Sequence, residues 1–336
     1  MYFSDASSQI GETVARAARV LAVSHANPDA DAVASLLSFK DAFSTPARTI
    51  TLALGAGTVP ETLEFLPGRD HIVQVGDIAV SDYDLVALLD CADEARVGPT
   101  GVDLVNEALG SVPVINIDHH VTNSRFGTIN LIDSEAAATC EILTLLYQDL
   151  EIPLSPGLAT TLMSGIQGDT LGLRTPSTTG RTLEVSATLL RAGAELDKIV
   201  DYLFRIHPYS TLRLWAHALS ATRLNGKLIW TEITPAMLED SRADESEAEG
   251  IVNFLAGTEG ALVAAMLYRK SDGWRVSMRS LTEDVDVSNL AGLFGGGGHS
   301  RAAGCSLEGD ETVRDHFLNT IASRVDVSAA TTNSTT

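Results

Sequence analysis

The stretch PVINIDHH, residues 113–120, decides the reading of this chain. A run opened by Pro113 and continued by apolar residues ends abruptly in an acid and two imidazoles. Read as a strand, it is buried along its length and chemically active at its carboxyl end. The same grammar recurs elsewhere. LAVSH (21–25) is an apolar run that stops at His25, with Asp29 and Asp31 in the turn that follows. DLVALLD (84–90) ends on Asp90, and TITLAL (49–54) is a further strand candidate. Helical periodicity is expected between them, over 8–20, 31–43, 101–109 and 135–149. Continuous apolar strands alternating with helices predict a doubly wound parallel sheet.

Beyond residue 156 the pattern becomes helical, near 157–167, 180–192, 195–206 and 209–222. It then changes again. KLIWTEI (227–233), ALVAAMLYR (261–269) and WRVSMRS (274–280) read as strands, with a helix at 245–256. The expected fold class is therefore α/β, with an N-terminal doubly wound parallel sheet and a smaller C-terminal α/β domain carrying a mixed sheet. The expected division is a catalytic domain over 1–190, a helical linker over 191–225, a substrate-binding domain over 226–325 and a disordered tail over 326–336.

The strand ends bear the chemistry. In open α/β sheets, ligand sites form beyond the carboxyl ends of the strands. His25, Asp29 and Asp31, then Asp90, then Asp118, His119 and His120 would meet at one rim, joined by Asp169 after the apolar segment LMSGIQG (162–168). Each acid alone has a plain alternative. A lone Asp after a strand is commonly a turn or cap residue, and Asp31 could cap the helix over 31–43. The cluster is harder to explain that way. Five carboxylates crowded together raise each other's pKa values, and cations relieve the repulsion. Mixed carboxylate and imidazole donors suit Mn²⁺, ahead of Mg²⁺, Co²⁺ or Zn²⁺. The ligand count suffices for two ions, the arrangement used for in-line displacement at phosphorus.

Two further stretches stand out. GLFGGGGHSRAAG (292–304) holds four consecutive glycines, Gly295 to Gly298, followed by His299 and Arg301. It reads as a loop whose backbone amides receive an anion, against the simpler reading of a hinge. Arg279 in the preceding strand is the candidate for phosphate contact, while Lys270 and Arg275 read as surface charge. DTLGLRTPSTTGRTL (169–183) places Arg174 just after Asp169, either to hold a phosphate bidentately or to pair at a helix terminus.

Composition narrows the partner. The chain has 336 residues, 44 acids and 23 bases, for a net charge of −21. Such a surface does not coat long duplex nucleic acid or an anionic membrane. Aromatics at 5% leave little for stacking long single strands. No apolar run approaches the roughly 18 residues of a membrane span, and the N-terminus has no apolar signal core. Cys91, Cys140 and Cys305 form no CxxC, which predicts reduced thiols and a cytoplasmic protein.

In order, HANPDADAVAS (25–35), LLDCAD (88–93), NIDHH (116–120) and GIQGDT (165–170) resemble the four motifs of the DHH phosphoesterases. VSMRS (276–280) followed by GGGGHSRAAG resembles the signature of the DHH-associated C-terminal domain. The short two-domain layout looks like the NrnA-type oligoribonucleases, or nanoRNases, many of which also act on 3′-phosphoadenosine 5′-phosphate (pAp). This resemblance implies one metal on His25, Asp29 and Asp90, and a second on Asp31, Asp90, His119 and Asp169. It implies that His120 faces the phosphate and that Asp118 orients a ligand histidine. It implies that Gly296, Gly297, Gly298, His299 and Arg301 hold the distal nucleotide, and that the protein is a homodimer. Relatives that cleave cyclic-di-AMP or its linear product define the alternative substrate. A non-catalytic nucleotide- or RNA-binding module is the alternative of another class. Leu171 and Leu173 stand where Gly and Phe are common in the family, which affects the base-contacting surface and not the metals.

Overall fold

The computed structural model describes residues 2–248 and 250–332, with the side chains of Ser4, Asp77, His299 and residues 327–332 outside that description. Contacts divide the chain into Met1–Ile206 and His207–Thr336. The division falls inside the segment read as a linker, which is shared between the two units.

The first unit is a six-stranded sheet, β1 (Arg19–Ser24), β2 (Thr49–Leu54), β3 (Ile72–Gln74), β4 (Leu85–Leu89), β5 (Val114–Asp118) and β6 (Ile129–Ile132). Its order is β3-β2-β1-β4-β5-β6 and every pairing is parallel. The helices are α1 (Ser4–Arg16), α2 (Ala30–Phe43), α3 (Pro99–Ser111), α4 (Thr139–Asp149), α5 (Pro156–Asp169), α6 (Gly180–Arg191) and α7 (Leu196–Val200). The alternation of side chains along a strand explains the two layers. Val20 and Ala22 of β1, with Leu85, Ala87 and Leu89 of β4, face a core built with α2, α4 and α5. Leu21 and Val23, with Val86 and Leu88, face a second core closed by Leu104, Val105 and Ala108 of α3. Both faces of β1 and β4 are dry, so those two strands read as near-continuous apolar runs.

The second unit contains α8 (Tyr209–Ser220), β7 (Arg223–Asn225), β8 (Leu228–Ile233), α9 (Pro235–Ser241), α10 (Ile251–Leu255), β9 (Val263–Arg269), β10 (Gly273–Ser280), α11 (Val287–Gly292), β11 (Gly297–His299), β12 (Ala302–Glu308) and α12 (Glu311–Thr332). Its sheet order is β11-β12-β10-β9-β8-β7. β8 and β9 run parallel and the other pairs antiparallel, so the sheet is mixed. Trp274, Val276 and Met278 of β10 point into a core with Phe317, Leu318 and Ile321 of α12. Arg275, Ser277 and Arg279 alternate onto the other face.

Several expectations shift. The first helix is Ser4–Arg16, because Val20 already belongs to β1. The expected helix over 245–256 is a 3₁₀ turn at Glu245–Ala248 and the short α10. Asp169 is carried by the last residue of a helix, α5, and by no strand. Helix α12 continues over 326–332, the start of the expected tail, while 333–336 lie outside the described residues. Among the described residues, no helix is long and apolar enough to cross a membrane.

Candidate metal centre and nucleotide-facing surface

The order of the strands reverses between β1 and β4, the point at which ligands bind beyond the carboxyl ends of the strands in open α/β sheets. His25 leaves β1 at this point and Asp90 leaves β4. Asp90 is buried, 1% exposed, and its backbone is left-handed at φ 59°. A non-glycine residue in that region costs roughly 1 kcal/mol, and such strain clusters at functional sites. The strained turn aims both carboxylate oxygens inward. Oδ2 lies 3.4 Å from Nε2 of His25, and Oδ1 lies 3.7 Å from Nε2 of His119. The hydroxyl of Thr139 donates to Oδ1 at 3.0 Å.

Asp29 shows that cap and site are compatible. Its Oδ1 accepts from the amides of Asp31 and Ala32 and so caps α2, while Oδ2 turns toward Nε2 of His25 at 4.0 Å. Asp31 caps a different helix. It is fully buried and accepts the amides of Thr139 and Cys140, at 2.6 and 3.0 Å, at the start of α4. The α4 N-terminus has no capping side chain of its own.

The histidines are oriented by their Nδ1 atoms. Nδ1 of His25 pairs with the carbonyl of Ala26 at 2.8 Å, and Nδ1 of His119 with that of Ala136 at 3.3 Å. With Nδ1 so engaged, Nε2 of each ring is the atom turned toward the carboxylates. Nε2 of His119 lies 3.2 Å from Asp169. His120 differs: Nδ1 binds Oδ1 of the buried Asp118 at 2.7 Å. Asp118 is in turn held at Oδ2 by Nδ2 of Asn123 at 2.7 Å. Asp118 therefore orients His120, the residue expected to face phosphate, and its carboxylate oxygens are both occupied.

Ligand atoms within 4.8 Å of one another fall into three groups: His25, Asp29 and Asp90; Asp31, His119 and Asp169; and Asp90, His119 and His120. All six expected ligands are thus brought together. The electrostatics favour a cation. Burial, with the charges of Asp90 and Asp169, drives Asp31 well above the ordinary carboxylate range. Burial opposes protonation of His119, yet the facing Asp169 and Asp90 raise it to about 10. His25 rises to about 9 in the same way, against its burial, because of Asp90 and Asp29. Nε2 of His25 is buried and meets no acceptor in hydrogen-bond geometry. An imidazole nitrogen left over beside crowded carboxylate oxygens is a donor set that fits divalent metal ions.

Close packing holds this arrangement. A Cβ on Gly165 of α5 would run into Sγ of Cys140 and come within 2.6 Å of Oδ1 of Asp31. Gly165→Ala is expected to destabilise the fold by about 1–3 kcal/mol by overpacking. It should also weaken Mn²⁺ binding by displacing Asp31. Thermal melts with and without Mn²⁺ check both effects, and an unchanged Mn²⁺ affinity would contradict the second.

The second unit carries the other expected residues except Arg174, which belongs to the first. The exposed face of β10 borders a cavity of about 790 Å³, lined in part by Arg275, Arg279, Asn253, Gly295 and Gly296. Lys270 and Arg275 are tied to Glu245 at 2.7 and 3.3 Å. Arg279 instead hydrogen-bonds to Asn253 at 2.8 Å, and among the described residues no carboxylate pairs with it. The glycine run is only in part the expected loop: Gly295 and Gly296 precede the strand, with Gly295 in a turn. Gly297 to His299 form edge strand β11 against β12. A Cβ on Gly296 would strike the carbonyl of Gly304, and Gly298 has φ 141°, so the glycines permit close strand approach. Arg301 is exposed in the β11–β12 turn, and the His299 side chain lies outside the described residues. Arg174 is exposed, with Nε donating to the carbonyl of Leu171. Leu171, Gly172 and Leu173 are consecutively left-handed just after Asp169.

Sequence reading missed Thr139, the Ala136 carbonyl and Asn123. The only local signal was for Asn123, a polar residue three positions after the DHH triplet.

Imidazoles and carboxylates converging at the switch point of a parallel sheet define an α/β protein whose donors suit divalent cations. Residues 19–166 match the family model for the DHH family, N-terminal domain, and residues 225–326 match that for the DHHA1 domain. The chain belongs to the DHH family. It is 34% identical over 286 residues to the bifunctional oligoribonuclease and PAP phosphatase NrnA of Thermus thermophilus, covering 85% of this chain and 83% of the relative. It is 24% identical to the protein of that name from Bacillus subtilis, covering 84% of this chain and 87% of that one. The crystal structure of an exopolyphosphatase-related protein from Bacteroides fragilis shares the fold, with a TM-score of 0.86 at 22% identity, over 96% of this chain and 98% of that one.

Proposed function

We propose that this chain is a two-metal phosphoesterase that hydrolyses very short oligoribonucleotides to mononucleotides and pAp to AMP, with Mn²⁺ as its preferred ion. The observation that carries this reading is the convergence of His25, Asp29, Asp31, Asp90, His119 and Asp169 around an orphaned imidazole nitrogen. The NrnA relatives, which are named for these two activities, supply the substrate class. In this reading His25, Asp29 and Asp90 hold one ion. Asp31, Asp90, His119 and Asp169 hold the other, with Asp90 shared. Such ions, when bound, supply Lewis-acid charge for in-line displacement at phosphorus.

The chain's own groups do the rest. Asp118 keeps His120 with Nδ1 engaged, so Nε2 is the atom left to donate a hydrogen bond or a proton toward the phosphate. Asn123 holds Asp118 in place. Arg279, Gly296, Gly297, Gly298, His299 and Arg301 serve the distal nucleotide, and Arg174 a phosphate. The enzyme works in the cytoplasm, a reading supported by three unpaired, buried cysteines. The family resemblance extends to a homodimer, which light scattering tests.

The deciding experiment is a kinetic panel of pApA, longer oligoribonucleotides, pAp, cyclic-di-AMP and pyrophosphate with Mn²⁺, Mg²⁺ and Co²⁺. Turnover of pApA and pAp in preference to the others is expected. Preference for cyclic-di-AMP would move the reading to a cyclic-dinucleotide phosphodiesterase. Inactivity on every substrate with every metal would leave a nucleotide-binding module. In the same assay Arg301→Ala is expected to raise KM roughly 10- to 100-fold, the worth of a charge-assisted hydrogen bond, with little change in kcat. A kcat loss at unchanged KM would contradict that role.

A further inference from the structure

We propose that Arg181 is a positioning residue that sets the metal-facing groups through the segment 133–141, without touching substrate itself. The inference rests on the metal-ion reading above and names a control on it.

Three of the metal-facing side chains depend on one short stretch of backbone. The Ala136 carbonyl holds Nδ1 of His119. The amides of Thr139 and Cys140 hold the two oxygens of Asp31, and the Thr139 hydroxyl holds Asp90. These residues reach the rim from the end of β5, the first turn of α2 and the end of β4, so a shift in 136–140 moves contributions from three different elements together.

That stretch is pinned from outside. Nε of Arg181, in the first turn of α6, lies 2.6 Å from Oε1 of Glu141, and its Nη1 lies 2.8 Å from Oδ2 of Asp133. Glu141 is fully buried. Its other oxygen accepts from the amide of Ala137 at 3.1 Å and from the hydroxyl of Thr182 at 2.8 Å. Asp133 accepts the amide of Glu135 at 3.0 Å, and its carbonyl accepts the amide of Ala136. One guanidinium therefore fastens both ends of the segment, with Ala136 and Thr139 between its two anchors. Its planar fork suits two carboxylates at once, which an ammonium on a flexible stem does not. Outer partners that orient metal ligands typically govern affinity by 10- to 100-fold.

The test uses the full chain stripped of metal, with Mn²⁺ as the probe. Binding is read by calorimetry or by the Mn²⁺ resonance signal, and folding by circular dichroism and melting in EDTA. Wild type is expected to bind Mn²⁺, with Arg181→Met folded but binding roughly 10- to 100-fold more weakly. The Mn²⁺ activation constant should rise by the same factor, and kcat should recover at saturating Mn²⁺, which general loss of structure would not produce. Arg181→Lys should recover part of the affinity. Unchanged Mn²⁺ affinity in folded Arg181→Met would overturn the proposal and leave the metal reading standing. Failure of the wild type to bind Mn²⁺ would overturn both. If Arg181→Met does not fold, Asp133→Asn, which removes one anchor at constant volume, is subject to the same criteria.

Discussion

Asp90→Asn is expected to lower kcat/KM for a dinucleotide by roughly 10³-fold or more, about 4 kcal/mol of transition-state stabilisation. The carboxylate is buried between two imidazoles, with Oδ2 facing His25 and Oδ1 facing His119. It is held below the ordinary carboxylate range: burial opposes ionisation, but His25, His119 and His120 outweigh it. It therefore supplies full negative charge at the centre of the cluster, where the proposed reading has it shared between two ions. An amide of the same shape keeps the volume and one acceptor, and it loses the charge. Asparagine also tolerates the left-handed backbone at φ 59°, so the variant should fold normally. Circular dichroism tests that control. Activity within about tenfold of wild type at saturating Mn²⁺ would mean that Asp90 is not the shared ligand.

Removal of divalent ions is expected to abolish turnover and lower the melting temperature, and re-addition of Mn²⁺ to restore both. At 100 times the dissociation constant, binding adds about 2.7 kcal/mol. For a unit the size of Met1–Ile206 that is a rise of roughly 5–10 °C. The effect depends on pH with a definite sign. In the metal-free protein His25 titrates at about 9 and His119 at about 10, above the ordinary 6.5. The stability they lend is fully present below 6.5 and is lost as pH rises through 9 and 10. A cation needs both imidazoles neutral and must displace those protons. Mn²⁺ should therefore bind more tightly as pH rises from about 7 to 9, releasing protons as it does. Calorimetry at pH 8 in two buffers of different ionisation enthalpy measures the release. Equal apparent enthalpies in the two buffers would contradict it.

The central strands were legible because both faces are dry: a strand with apolar neighbours on each side must be apolar at every position. That held for β1 and β4, while β2 and β5 also carry Thr49, Thr51, Asn116 and Asp118; the expected bounds of all four lie within a few residues of the observed ones. The edge strands β3 and β6 escaped for the converse reason, being three and four residues long and partly exposed. The glycine run was read by composition as a loop, whereas its second half, Gly297 and Gly298, pairs with Gly304 and Ala303 of β12 as an edge strand. Asp29 defeated a choice between cap and ligand because a carboxylate has two oxygens and can serve both.

The sequence by itself determined the chemistry. The DHH triplet, Asp90, and His25 with its two following acids place a rim of candidate metal ligands on an α/β sheet. Only the tertiary structure decided how those groups are held. Asp31 caps a helix that begins 108 residues later, and Arg181 reaches Glu141 across 40 residues. Such pairings leave no local periodicity or spacing to read, because they depend on where separate helices come to rest on the sheet.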